Sequence, residues 1–200
     1  MLIVKAVRLL FQPRVGWGAI RDSDPAALLT FVSHTVPFAL VPPICGYLGT
    51  TRTGWDLGLG RAVKLTTESA LHISVLYYLA LLVATLSMAW AIHWMATTYG
   101  ARRSFAAALT LASLTATPLF LVGFFQLHPE LSLNLVAGLP ALAWTVALFY
   151  TGVPIMLDIP EERGFLFASA VLAFGLVALV AMIIVTVLLW AHGLAPAFAS

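Results

Sequence analysis

Apolar residues run almost unbroken through five stretches of the chain, at about 26–49, 69–96, 105–127, 133–156 and 164–191, and short polar turns separate them. Each stretch exceeds the roughly 20 helical residues that cross a hydrocarbon core of about 30 Å. The runs are continuous, not alternating, and backbone groups in lipid have to be satisfied within their own segment. The pattern therefore predicts an all-α fold, a polytopic integral membrane protein built as a bundle of five transmembrane helices. The second run is long enough to tilt or to project into the headgroups.

Ahead of the first run, Ile3, Val7 and Leu10 recur at helical spacing, with Lys5 and Arg8 on other faces and Pro13, Trp17 and Ile20 following. Residues 1–25 read as a short basic amphipathic helix lying in the inner leaflet, with Trp17 at headgroup depth. They lack the continuous apolar core and cleavage site of a signal peptide. No internal repeat or low-complexity stretch interrupts residues 1–200, which read as a single domain.

Composition strengthens the membrane assignment. Hydrophobic residues make up 62% of the chain and charged residues 9%, against roughly half and a quarter in soluble domains. The net charge of +2 is too small to point to nucleic acid, and the single cysteine, Cys45, excludes an internal disulfide and reads as a small packing residue. The placement of charge is more telling. Lys5, Arg8, Arg14, Arg21, Arg102, Arg103 and Arg163 fall on one side of the membrane, and Arg52, Arg61 and Lys64 on the other. Seven against three predicts a cytosolic N-terminus and a periplasmic C-terminus. The connection from Thr50 to Thr67, with Gly54, Gly58 and Gly60, can turn tightly, and Trp55 within it is an expected interface anchor.

Prolines and small residues mark the spans that differ. Pro37, Pro42 and Pro43 each remove an amide donor, so the first helix must kink or break; Pro118 does the same in the third. Ala108, Ala112 and Ala116, with Thr110, Ser113, Thr115 and Thr117 nearby, predict a close-packed third span at the centre of the bundle. The fifth span, with Phe165, Phe167 and Phe174, reads as lipid-facing.

Ionisable groups at membrane depth are the candidate polar or ligand-binding residues. His34 lies in the first span. Glu68 and His72 share a helix face one turn apart at the outer start of the second, and Gln126, His128 and Glu130 belong near the same surface. His34 and His72 differ in depth by about 12 Å, from the helical rise and the core thickness, which argues against one joint site. An outer metal-binding cluster of Glu68, His72, His128 and Glu130 is easier geometrically, although each side chain also has an ordinary structural reading. His93, between Trp90 and Trp94, reads as part of an aromatic belt. The chain carries no HExxH helix, nucleophile elbow or phosphate-cradling glycine loop. No catalytic residue, resident metal or cofactor is expected.

The stretch from Tyr150 to Gly164, YTGVPIMLDIPEERG, leaves a span through Gly152 and Pro154 and turns at Pro160, Glu161 and Glu162. It resembles the signature of the Yip family, the Ypt/Rab-interacting membrane proteins, in its bacterial branch. Pro13 and Trp17, the run Pro42–Pro43–Ile44–Cys45–Gly46 with Gly49, Thr50, Thr51, Gly54 and Trp55, and Thr117, Pro118, Leu119 and Gly123 agree in order. The resemblance covers nearly the whole chain. It implies five helices, a cytosolic N-terminus and the bacterial inner membrane, and supplies no catalytic residues. The eukaryotic relatives' role, binding prenylated Rab GTPases in vesicle traffic, is not carried over, because bacteria lack that traffic and the segment before the first span is short. The expected function is a non-enzymatic scaffold or adaptor acting through helix packing and cytosolic turns. Its expected partners are membrane lipid and a second copy or another membrane protein. The alternative is a small-solute or ion transporter or channel that uses the broken first helix and the intramembrane His and Glu residues.

Overall fold

The computed structural model describes residues 8–56, 62–98 and 104–199. Ile3, Lys5, Val7, Gly58, Gly60, Arg61, Arg102 and Arg103 lie outside the described residues. Five helices are long and apolar enough to cross a membrane, so the all-α polytopic fold is as expected. We number the elements α1 (Pro13–Ser23), α2 (Ala27–Thr53), α3 (Thr67–Thr98), α4 (Phe105–Leu127), α5 (Leu131–Leu157) and α6 (Glu161–Leu189).

The third span, α4, is central. Within its most apolar stretch 61% is buried, against 6% for the equivalent stretches of α5 and α6. Every residue from Ala108 to Thr115 is buried, as the small-residue pattern requires for helices that associate by close packing in lipid. It packs against α2, α3 and α5, and α6 lies outside, against α3 and α5. Phe165 and Phe174 are exposed there, whereas Phe167 is fully buried.

The breaks in α2 and α4 follow the prolines. In α2 a π-helical turn at Phe31–Thr35 precedes Pro37, the helix is interrupted at Ala39 and Leu40, and it resumes as Val41–Leu48. The Leu40 amide turns back to the Pro37 carbonyl at 3.2 Å. The Val36 carbonyl accepts instead from the Tyr78 hydroxyl of α3, also at 3.2 Å. In α4 the helix is interrupted at Ala116, just before Pro118. By contrast α5 runs unbroken through Pro140 and Pro154.

The N-terminal helix departs from expectation. Trp17 is fully buried and donates through Nε1 to the Leu148 carbonyl of α5 at 3.0 Å. It is a core residue and not a headgroup anchor. Its ring fills the space a side chain would need at Gly152: a Cβ there would stand 2.6 Å from Trp17 Cε2 and 2.7 Å from Leu111 Cδ1. An indole can satisfy its single donor on a carbonyl and bury the rest of its surface, and the glycine makes room for it. Gly16 and Ile20 are buried on α1 as well.

At the opposite end of the bundle, the described part of the connection after α2 pairs with its neighbours. Trp55 and Val63 exchange backbone hydrogen bonds at 2.7 and 2.9 Å, and Leu131 donates to the Asp56 carbonyl. The C-terminal tail returns over this end: Thr66 donates to the Ala197 carbonyl and Ala199 to that of Lys64. Trp55 remains partly exposed.

Gly152→Ala should lower stability by about 1–3 kcal/mol through overpacking against Trp17. Gly138→Ala on the same helix, where an added Cβ meets nothing within 4 Å, should be neutral or slightly stabilising. Thermal unfolding of the two variants in detergent reads the difference.

Candidate functional site

A polar seam runs between the two broken helices. Thr30, His34 and Thr35 of α2 and Thr110, Ser113 and Thr117 of α4 are all buried there, while Thr115, also buried, lines a cavity that α4 forms with α3, α5 and α6. Pro118 has no amide to give the Leu114 carbonyl one turn earlier. The Thr117 hydroxyl donates to that carbonyl at 2.6 Å. His34 Nε2 lies 2.9 Å from the same hydroxyl oxygen. A hydroxyl has one proton to donate, and Leu114 takes it, so His34 donates from Nε2 and its Nδ1 is an acceptor. The hydrogen-bond network thereby assigns the tautomer. The ring also packs against Phe38, with centroids 4.6 Å apart.

The seam is only partly satisfied. His34 Nδ1, Thr30 Oγ1, Thr35 Oγ1 and Ser113 Oγ are buried and have no protein partner among the described residues. A buried polar group left unmade costs about 1–3 kcal/mol, so a native bundle with several of them invites a reason.

The outer candidates separate. Gln126 joins the packing: its Nε2 lies 3.2 Å from the Tyr77 hydroxyl, and its side chain and carbonyl press on Gly46 and Gly49 of α2. Pro42 and Gly123 approach equally closely, since a Cβ at Gly123 would stand 2.7 Å from Pro42 Cα. Pro43 and Cys45 are buried beside them. Glu68, His72, His128 and Glu130 are exposed. Glu130 accepts from the Ser132 hydroxyl, and Asn134 Nδ2 donates to the His128 and Glu130 carbonyls. No group of three or more His, Cys, Asp or Glu side chains among the described residues is arranged to hold a metal. Trp90 and Trp94 stack at 6.0 Å on an exposed face.

The turn from Tyr150 to Gly164 proves to be a packing device at the α1 end. The Ser169 hydroxyl donates to the Phe165 carbonyl at 2.9 Å, so the Tyr150 hydroxyl, 2.8 Å away, donates to Ser169. Gly152 seats Trp17. Asp158 adopts a left-handed φ of 56° that ends α5. The Ile159 amide then closes on the Pro154 carbonyl, and that of Gly164 on Pro160. Glu161 and Glu162 occupy the first turn of α6, where acidic side chains suit the helix dipole. Sequence reasoning missed the roles of Trp17, Thr117 and Tyr78. Only Thr117 carried a signal, as the hydroxyl residue directly before a proline.

These features define a polytopic α-helical membrane protein whose breaks and glycine contacts lie inside the bundle. A model of the Yip1 domain matches residues 7–182. The inner membrane protein YohC of Escherichia coli strain K12 is 38% identical over 163 residues, 82% of this chain and 84% of that protein. The protein of the same name from Escherichia coli O6:H1 matches to the same extent. No solved structure matches. The chain belongs to the Yip1 family.

Thr117→Val removes both a donor to Leu114 and the acceptor of His34, and should cost about 1–3 kcal/mol, with Thr117→Ser largely neutral. In a double-mutant cycle with His34→Phe, the two losses should be non-additive by about 0.5–3 kcal/mol. Additive losses in chemical denaturation would remove the His34–Thr117 bond from the account.

Proposed function

We propose that the protein is a non-enzymatic scaffold or adaptor of the bacterial inner membrane, acting through helix packing and through the turns at the α1 end. The observation that supports this reading best is the structural employment of His34, the most deeply buried ionisable candidate. Its donating nitrogen is spent on the side chain that mends the α4 break. Gln126 is likewise held in a helix contact. The broad exposed apolar faces of α5 and α6 are surfaces on which lipid, a second copy or another membrane protein can pack. The inner-membrane location follows from the family and from the name of the Escherichia coli relative. A cytosolic N-terminus follows from the bias of Lys and Arg.

A second reading, small-solute or ion transport, draws on one specific observation, the unpartnered buried hydroxyls and His34 Nδ1 along the α2–α4 seam. Transport requires those atoms to line a path that opens.

Cross-linking in native membranes followed by purification should recover a homo-oligomer or a stoichiometric membrane partner; a lone monomer counts against the scaffold. Reconstituted vesicles should show no solute flux that His34→Ala or Glu68→Gln reduces, and such a flux would replace the scaffold with the transporter. For orientation, a cysteine at Ala199 should react with a membrane-impermeant maleimide on intact spheroplasts, and one at Gln12 only after lysis. The native Cys45 is buried, which keeps the background low.

A further inference from the structure

At the α1 end a cleft of about 680 Å³ opens between α1, the last turns of α5 and the start of α6. Its lining is polar in part, with Arg14 and Arg21 of α1 and Tyr150 and Thr151 of α5, and apolar in part, with Ile155, Ile159 and Phe165. The two arginines stand three residues before and four after Trp17, so all three share one face of α1. Burial of Trp17 therefore fixes beside the cleft the stretch of α1 that carries both arginines. Each guanidinium has five N–H donors. Arg21 spends one on Asp22, at 3.1 Å. Arg14 has only a loose pairing with Glu161, at 3.8 Å between side chains 78% and 79% exposed. Of the acidic residues at this end, only Glu161 lines the cleft. Arg21 thus faces the Asp22 carboxylate and Arg14 that of Glu161, while most of the guanidinium donors remain uncommitted.

Depth and shape select the occupant. The cleft lies where α5 ends at Leu157 and α6 begins at Glu161, which is the headgroup boundary of the spans. Phe165, one turn into α6 and stacked on Tyr150, is its apolar side, and each guanidinium presents the planar fork that phosphate oxygens accept. The geometry points to a binding site for one anionic phospholipid, its phosphodiester between Arg14 and Arg21 and its acyl chains along Ile155 and Phe165. A free phosphate would use the arginines but not the apolar lining. This site is independent of the scaffold reading, because a lipid can hold α1 against the bundle whatever partner the protein serves.

The test uses the full chain in detergent, titrated with phosphatidylglycerol or with phosphatidylcholine of the same acyl chains, with retained lipid counted by native mass spectrometry. One phosphatidylglycerol should be retained with a preference of about ten-fold or more, the effect of a single charge-assisted contact. Arg14→Gln with Arg21→Gln should abolish the preference, and Arg14→Lys with Arg21→Lys should keep part of it. Glu161→Gln should strengthen retention, because it removes the competing carboxylate. Thermal unfolding verifies that each variant is folded, and the Lys and Glu161 variants decide the matter if the Gln pair is not. Equal retention of the two lipids, an unchanged preference in a folded Gln pair, weaker retention in Glu161→Gln, or full displacement by millimolar inorganic phosphate would overturn the assignment.

Discussion

A carbonyl freed inside a hydrocarbon layer has no water to turn to, and this constraint organises the bundle. α2 and α4 are both interrupted by proline, and both face the interior. Side chains then complete what the backbone cannot. Thr117 takes the carbonyl that Pro118 abandons, and Tyr78 reaches from α3 to the Val36 carbonyl beside the break in α2. His34 adds a bond between the two broken helices by donating to the repairing hydroxyl itself. Each such bond is modest, about 1 kcal/mol net, but leaving its partner empty costs more. The breaks consequently dictate which helices can be neighbours. α5 and α6 run on without such a break and lie outside.

Close approach is the second device, and glycine supplies it at particular contacts. Pro42 stands against Gly123, Gln126 against Gly46 and Gly49, and Trp17 against Gly152. Lipid tails are as apolar as leucine, so association must come from dispersion contacts and hydrogen bonds, not from expulsion of water. A proline ring or an indole seated on a glycine provides many such contacts over a small area. Gly46, Gly49 and Gly123 explain why the two interrupted helices run together at the end opposite α1.

Much of this was legible from residues alone. Continuous apolar runs located the five spans to within a few residues, because hydrocarbon thickness leaves little freedom. The four-residue spacing of Ala108, Ala112 and Ala116 marked α4 as central, since only small residues allow approach on several sides. Pairings between distant segments were not legible. His34 and Thr117 are 83 positions apart, and nothing in the local pattern of either span names the other. Trp17 was misplaced for a chemical reason: an indole near a membrane boundary suits a headgroup anchor and a buried donor equally, and only the glycine at 152 distinguishes them. The returning C-terminal tail was also missed, because Ala197 and Ala199 meet Thr66 and Lys64 through backbone atoms alone, which any sequence could supply. Glu68, His72, His128 and Glu130 are exposed, and depth and spacing in a sequence cannot make exposed side chains converge.

The distinctive turn between α5 and α6 is better understood as one half of a joint than as a motif in its own right. Gly152 is empty so that Trp17 can enter. Tyr150 is tied to Ser169, which keeps its ring 5.2 Å from that of Phe165 and holds α5 and α6 together behind the cleft. The left-handed Asp158 ends α5 sharply and brings Glu161 within reach of Arg14. The other half is α1, whose buried tryptophan carries an arginine one turn to either side. Neither half has a use for its residues without the other: the glycine would be a needless weakness in a helix, and the arginines would sit at no fixed distance from anything. Docking by Trp17 brings two stretches far apart in the chain together around one cleft at the α1 end of the bundle.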